Sequence, residues 1–277
     1  MSENLKYTLI DGIKCFSPEV LNSYADYPDN GFDLTNENAE GSFWVSSRNR
    51  LFKSLVLRNA LPRGKTRYLD IGCGTGDFIS QLNSSENLEI TGSEIYLKGL
   101  QYAKKNLPGV DFIQFDVTQG VLEEKFDMIT AFDVVEHIDN DMAAISNIFQ
   151  MLNKGGVFVV SAPQHMFMWS RLDEIVKHKR RYSRQELISK LTNNGFEIVY
   201  TTSFLFVLFP LMWISRMFDK GRTKSCASEV ELDKRVKFSR SLNFVFDLFM
   251  RVDEMLIRLG ISLPVGGTIV VVARKPG

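Results

Sequence analysis

A chain of 277 residues with 33 basic and 33 acidic side chains carries no net charge, so no global field draws it to nucleic acid. Its 44% hydrophobic and 24% charged content suits a globular protein with one sizeable core plus additions, and it has no internal repeat or low-complexity tract. The three cysteines, Cys15, Cys73 and Cys226, have neither disulfide nor metal-ligand spacing, so no metal is expected. The N-terminal MSENLKYTL lacks a basic segment followed by an apolar run, and the expected home is the reducing cytoplasm.

In chain order, YTLIDGIKCF (7–16) puts an Asp-Gly pair between apolar runs, a hairpin signal, and 25–41 is rich in turn residues. Residues 42–61 read as a helix. From 65 to 200, strands and helices alternate: strands at 67–71, 88–92, 110–115, 126–132, 157–162 and 196–202, with helices at 97–106 and 141–153, the latter closed by Gly155-Gly156. Ser183-x-x-Glu186 is a capping box opening a helix that runs to Asn193. Such alternation predicts a parallel sheet with helices on both faces. Residues 203–260 break the rhythm with two helical stretches around a polar loop (219–235). In the second stretch Val245, Phe249, Val252, Leu256 and Leu259 share a face expected to lie on the core. A final strand, 268–273, is expected to run antiparallel beside 196–202.

The chemistry concentrates after the first strand of the alternating region, in YLDIGCGTGDF (68–78). Three alternate glycines between a strand and a helix let a ligand approach the backbone closely. A dinucleotide turn has G-x-G-x-x-G, but here the spacing is G-x-G-x-G and Asp77 stands where the third glycine belongs. An acid there repels a pyrophosphate, so the turn suits a nucleoside with an amino-acid tail, such as S-adenosylmethionine. Acids recur at the strand ends: Asp70 inside the first strand, then Glu94, Asp116 and Asp133 after the next three. Glu94 lies near the spacing of ribose-binding acids.

LDIGCGTG (69–76), GSEI (92–95), QFDV (114–117) and AFDVVEHI (131–138) together resemble the successive motifs of class I S-adenosylmethionine-dependent methyltransferases. NKGGVFVVSAP (153–163) and GGTIVVVARKP (266–276) resemble that family's fifth and reversed last strands. The resemblance implies a Rossmann-like α/β fold: a seven-stranded, mostly parallel sheet with an antiparallel last strand, helices on both faces and a helical insertion at 203–260. It implies that Gly72, Cys73, Gly74 and Gly76 line the methionine moiety, that Asp70 lies beside them, and that Glu94 holds the ribose with Ile95 against the adenine. Asp116 and Val117 would meet the adenine amino edge, and Asp133 and Val134 the sulfonium arm. FWVSSRNRL (43–51) and WSRLDEIVKHKRRYSRQEL (169–187) are similar to segments of a bacterial and archaeal subgroup, the type 11 and type 12 methyltransferases. On that likeness residues 1–61 form a hairpin and a cofactor-covering helix, 62–277 form the methyltransferase domain, and Arg48 pairs with the methionine carboxylate.

The expected reaction is O- or N-methylation of a small-molecule or glycan- or lipid-linked acceptor, leaving S-adenosylhomocysteine. A hydroxyl acceptor needs a general base, and His137 and His165, after the fourth and fifth strands, are the candidates, His137 the preferred one because its EHI context lies in the matched motif. His178-Lys179-Arg180-Arg181 reads either as a solvated loop or as a site for an acidic acceptor through His178, Arg180 and Arg181. The apolar run at 203–218 is too short to span a bilayer; core packing, a lid, a dimer face and a membrane-surface contact all remain open for it, and the chain is expected as a monomer or homodimer. The other functional readings are a non-catalytic S-adenosylmethionine binder and an NAD-dependent oxidoreductase.

Overall fold

Alternate residues of the central strands point to opposite sides, and each set meets its own helices. Leu69, Ile71, Ile129, Ala131, Phe158, Val160, Ile269 and Val271 pack with Ala144, Ile148, Leu187 and Leu191 on one face. Tyr68, Met128, Val157, Val159, Val270 and Val272 pack with Leu51, Phe52, Val56, Met250 and Ile257 on the other. This period of two, buried on both sides, makes the strands continuous apolar runs and gives a three-layer α/β/α arrangement. These positions come from a computed structural model that describes residues 6–20, 31–32, 42–62, 64–219 and 238–277. The turn-rich segment at 25–41 lies almost wholly outside the described residues. So do Cys226 and all but the first residue of the polar loop at 219–235.

Among the described residues the strands are β1 (Thr8–Ile10), β2 (Ile13–Cys15), β3 (Thr66–Ile71), β4 (Leu88–Glu94), β5 (Asp111–Gln114), β6 (Phe126–Phe132), β7 (Leu152–Pro163), β8 (Glu197–Phe204) and β9 (Thr268–Arg274). The helices are α1 (Phe43–Asn59), α2 (Asp77–Leu82), α3 (Leu97–Asn106), α4 (Asp141–Met151), α5 (Arg171–Ile175), α6 (Arg184–Asn193), α7 (Phe209–Asp219) and α8 (Arg240–Arg258). The sheet order is β1-β2-β5-β4-β3-β6-β7-β9-β8. The strand order reverses between β3 and β6, so their carboxyl ends open the crevice where ligands bind in such sheets. β9 runs antiparallel between β7 and β8, as expected from the sequence.

The sheet has nine strands rather than seven, because the hairpin joins its edge. Asp11 and Gly12 both adopt left-handed backbone (φ 51° and 71°), the geometry of a tight two-residue hairpin turn. β2 then pairs in parallel with β5, through Lys14 opposite Ile113 and Cys15 opposite Gln114. The Gln114 side chain fastens it, accepting from Ser17 N (2.9 Å) and donating to Ser17 O (2.8 Å). An edge that would otherwise expose unpaired backbone groups is thereby covered.

Two further expectations need correction. The helix at 141–153 ends at Met151, and Gly155-Gly156 lie within β7 rather than closing the helix. Leu152 pairs with Phe126 and the register slips before Met128, an irregularity that left-handed Gly155 (φ 77°) accommodates. In α8 the supposed core face is largely exposed: Val245, Phe249, Val252 and Leu259 are 40–71% accessible, while Met250, Asp253, Glu254 and Ile257 are buried. Polar anchoring turns the helix this way. Arg50 of α1 grips Glu254 and Asp247 (both 2.6 Å), and Asp253 accepts from the backbone N–H groups of Phe206 (2.6 Å) and Val207 (3.2 Å).

Candidate functional site

The glycine turn follows β3 directly. Gly72 (φ 74°) has no room for a side chain, since a Cβ would sit 2.4 Å from Val134 Cγ2. Gly74 (φ 56°) is the opposite case: among the described residues nothing lies within 4 Å of where its Cβ would stand, which leaves open space above the backbone. The turn is held from below, where Gly72 N and Cys73 N both donate to Ser93 O (2.8 and 2.9 Å). Cys73 is buried, and burial pushes its thiol pKa well up, so it serves as packing rather than as a nucleophile.

Glu94 at the end of β4 is 8% exposed and closes the other side of the turn. Its carboxylate accepts from Gly74 N (3.1 Å), Ile95 N (2.8 Å) and Tyr96 N (3.3 Å). Burial raises its pKa and these three donors work against the rise. Half-buried Ile95 follows at once. Asp116, beyond β5, accepts from Thr118 N and Oγ1 (both 2.8 Å), while neighbouring Val117 is buried. Asp70 lies within β3 under the turn, accepting from Thr130 Oγ1 at 2.6 Å, and burial raises its pKa to about 7.

Asp133, past the end of β6, is held in left-handed backbone (φ 56°), uncommon for a residue with a side chain. Ser161 over-determines it. Asp133 N donates to Ser161 O and Oγ (both 3.1 Å), and Ser161 Oγ donates to Asp133 Oδ1 (2.8 Å). Arg48 reaches over from α1 and pairs with Asp133 Oδ2 at 2.9 Å. Its buried Nε has no hydrogen-bond partner among the described residues. Helix α1 therefore lies across the crevice, with Phe52 stacked on Phe132 (3.9 Å between centroids) and Arg48 at the mouth. Strain fixed by its surroundings at a strand end is a mark of a functional position.

The structure separates the two candidate bases. His165, after β7, also has left-handed backbone (φ 66°); its buried Nε2 lacks a hydrogen-bond partner among the described residues, and burial lowers its pKa with help from Arg181 and Arg184. It stacks on Phe167 (4.9 Å) and meets Phe209 of α7 (5.7 Å). His137 instead packs edge-on against His178, with ring centroids 4.8 Å apart. The basic run that His178 heads makes internal pairs. His178 Nδ1 meets Asp173 Oδ1 at 2.9 Å, and Arg181, 7% exposed, binds the same carboxylate (2.8 Å). Arg180 pairs with Asp141 (3.2 Å) and Lys179 with Asp139. Arg181 is thus a buried structural cation, not an open anion ligand.

Sequence reading missed Glu136 and Asp173. Glu136 is fully buried and, among the described residues, neither carboxylate oxygen has a hydrogen-bond partner; burial and nearby Asp133 push its pKa well up. Its place beside His137 in AFDVVEHI was the one available signal. Nothing in the sequence spacing pointed to Asp173, 37 residues further on.

Residues 44–201 match the family model described as a methyltransferase domain. The chain belongs to this family. It is a class I S-adenosylmethionine-dependent methyltransferase in fold and motifs, and S-adenosylmethionine is the family's cofactor. The chain is 24% identical over 151 residues to a ubiquinone biosynthesis O-methyltransferase of Rickettsia canadensis, covering 48% of this chain and 64% of the relative. It is 26% identical over 149 residues to malonyl-[acyl-carrier protein] O-methyltransferase 1 of Ilyobacter polytropus, covering 50% and 56%. The chain thus spans about three fifths of the length of these curated relatives. Among solved structures, the N-methyltransferase NodS of Bradyrhizobium japonicum, in complex with S-adenosylhomocysteine, is similar with a TM-score of 0.53 at 15% identity, over 90% of this chain and 94% of that one. The methyltransferase site features fit the family's cofactor: an open cradle at Gly74, a carboxylate at Glu94 and a cation–carboxylate pair, Arg48–Asp133, at the mouth.

Proposed function

We propose that this chain binds S-adenosylmethionine against the Gly72–Gly76 turn and methylates a hydroxyl or amine of a small or lipid- or glycan-linked acceptor. The observation that carries the reading is the open space at Gly74 flanked by the buried carboxylate of Glu94. Bound there, S-adenosylmethionine would supply an electrophilic methyl, so the protein's part is mostly in-line positioning. Glu94 holds the ribose hydroxyls, its carboxylate oriented by three backbone donors. Ile95 packs on the adenine and Asp116 and Val117 bound its amino edge. Gly72, Cys73 and Gly76 line the methionine arm above Asp70. Asp133 and Val134 line the sulfonium side. Arg48, with one nitrogen unpartnered, binds the methionine carboxylate, making α1 the cover of the site.

His165 is the better-supported base. Burial lowers its pKa and so favours the neutral ring, and its buried Nε2 is placed to accept a proton. The aromatic trio His165–Phe167–Phe209 brings the start of the excursion between β8 and β9 to the end of β7, which supports an acceptor with an apolar part. The likeness to a ubiquinone biosynthesis O-methyltransferase and a malonyl-[acyl-carrier protein] O-methyltransferase makes compounds of ubiquinone biosynthesis and malonyl-[acyl-carrier protein] the first acceptors to try. Among the described residues no helix is long and apolar enough to cross a membrane.

The test is calorimetry with S-adenosylhomocysteine and NAD, followed by acceptor screening with labelled methyl donor. Binding of the former alone, with labelled product that His165→Ala diminishes, supports the proposal. Preferential NAD binding overturns it, and Asp77 at the head of α2 argues against that outcome. Cofactor binding with no labelled product from any acceptor leaves the non-catalytic reading in its place.

A further inference from the structure

Three metal-ligating side chains converge beside the cofactor crevice, from two parts of the chain. Glu136 and His137 come from the 3-10 turn after β6, and His178 from the loop after α5. One ligand atom of each lies within 4.8 Å of the others. Glu136 Oε1 and His178 Nε2 are 3.7 Å apart, too far for a hydrogen bond but close to the edge, about 3.4 Å, of a tetrahedron with 2.0–2.2 Å bonds.

Two independent features point the cluster at a cation. The Glu136 side chain is completely buried, and neither oxygen has a hydrogen-bond partner among the described residues. A buried carboxyl group without partners is costly in either protonation state, and a bound cation removes that cost. The second feature is the orientation of His178. Its Nδ1 faces Asp173 Oδ1 at 2.9 Å, and Asp173 is itself held by Arg181 (2.8 and 3.1 Å) and Ser170 N (2.8 Å). A carboxylate on Nδ1 fixes the tautomer that presents a lone pair at Nε2, toward Glu136. Carboxylate–histidine pairs of this kind stand behind protein-bound metal ions.

We propose that Glu136, His137 and His178 form a binding site for a divalent transition-metal ion, with Asp173 as the positioning residue behind His178. Two imidazoles and one carboxylate favour zinc or cobalt over magnesium or calcium, which take oxygen ligands. Three protein ligands leave one position of a tetrahedron for water or another oxygen donor. The site stands independently of methyl transfer, because its test reads metal binding alone.

The experiment uses the full chain, stripped with chelator and titrated with Zn2+ by calorimetry and with Co2+ by visible absorption. About one equivalent should bind, and Co2+ should give the intense d–d bands of a four-coordinate nitrogen and oxygen site. Glu136→Gln and His178→Gln should each weaken binding at least tenfold, and Asp173→Asn by roughly tenfold or more. Circular dichroism and S-adenosylhomocysteine binding report whether the variants are folded. Absence of saturable binding by the wild-type chain overturns the proposal, as does undiminished binding in both ligand variants. If the variants do not fold, the wild-type cobalt spectrum decides: weak octahedral bands overturn the site and intense four-coordinate bands support it.

Discussion

The carboxyl ends of β3, β4 and β6 and the excursion between β8 and β9 treat surface in opposite ways. At the strand ends, polar groups are at least partly buried and supplied with partners, some of them from other elements: Glu94 by three amides of the loops after β3 and β4, Asp133 by Ser161 of β7 and Arg48 of α1. In the excursion, apolar groups are left in water. Trp213, Met217, Phe244, Leu248 and Leu259 are 48–71% exposed, although α8 could have turned most of its apolar residues inward. Buried hydrogen bonds are directional and fix a geometry, whereas apolar burial would tolerate many rotations of a helix. In α8 the directional contacts of Asp253, Glu254 and Asp247 set the rotation and the apolar face takes what remains. An exposed apolar expanse of this kind marks an interaction surface in general.

The difference between the regions can be tested residue by residue. The largest effect belongs to Gly72→Ala, which meets both left-handed backbone and a Cβ contact at 2.4 Å. A loss of roughly 3–5 kcal/mol in urea unfolding is expected, with loss of S-adenosylhomocysteine binding. A variant of wild-type stability would mean that the turn yields freely and is not a rigid cradle.

Asp70 gives a pH dependence to the same region. Its pKa is raised from 3.8 to about 7, so between these values the folded chain keeps a proton that the unfolded chain has lost. Its contribution to stability is complete below pH 3.8 and is lost as pH rises through 7. The difference is up to about 4 kcal/mol. The stability of Asp70→Asn relative to wild type should therefore climb between pH 4 and pH 8. A flat difference across that window would show that Asp70 is already ionised when buried.

Glu94→Ala should weaken S-adenosylhomocysteine binding by roughly 1.5–3 kcal/mol, the range for hydrogen bonds to a charged group. Calorimetry that finds unchanged affinity would put Glu94 outside the ligand's reach. In the excursion, Asp253→Ala leaves two backbone N–H groups before α7 without their acceptor and should cost about 2 kcal/mol of stability. Cofactor affinity should hold within about twofold if the two regions are energetically separate. The smallest effect is expected from Phe244→Ser, at a residue 70% exposed. Stability should stay within about 0.5 kcal/mol of wild type. A larger loss would reveal that this side chain is covered in solution.

Much of the cofactor crevice was legible before the structure because its signals are local. A strand, a glycine turn and an acid one strand later are adjacent in sequence and constrained by steric rules that act over a few residues. Element positions in the alternating region follow from the same short-range periodicity, and helix 97–106 and strand 126–132 stand where periodicity puts them. A family likeness set Arg48 against the methionine carboxylate, but its partner here, Asp133, 85 residues away, was not foreseen, since an arginine on an amphipathic helix carries no local mark of it.

From the linear chain follow the fold class, the reversed last strand and the run of acids at the strand ends. Each rests on hydrophobic period, glycine stereochemistry or strand connectivity, all of which are short-ranged. Three-dimensional packing settled the rest: the hairpin joined to β5, the rotation of α8, the burial of Arg181, and the meeting of Glu136 and His137 with His178 and Asp173. These depend on which distant charges find each other once the chain is closed. An aspartate such as Asp253 and an arginine such as Arg181 look like solvated surface residues until a buried donor or acceptor from elsewhere in the chain outweighs the cost of leaving water.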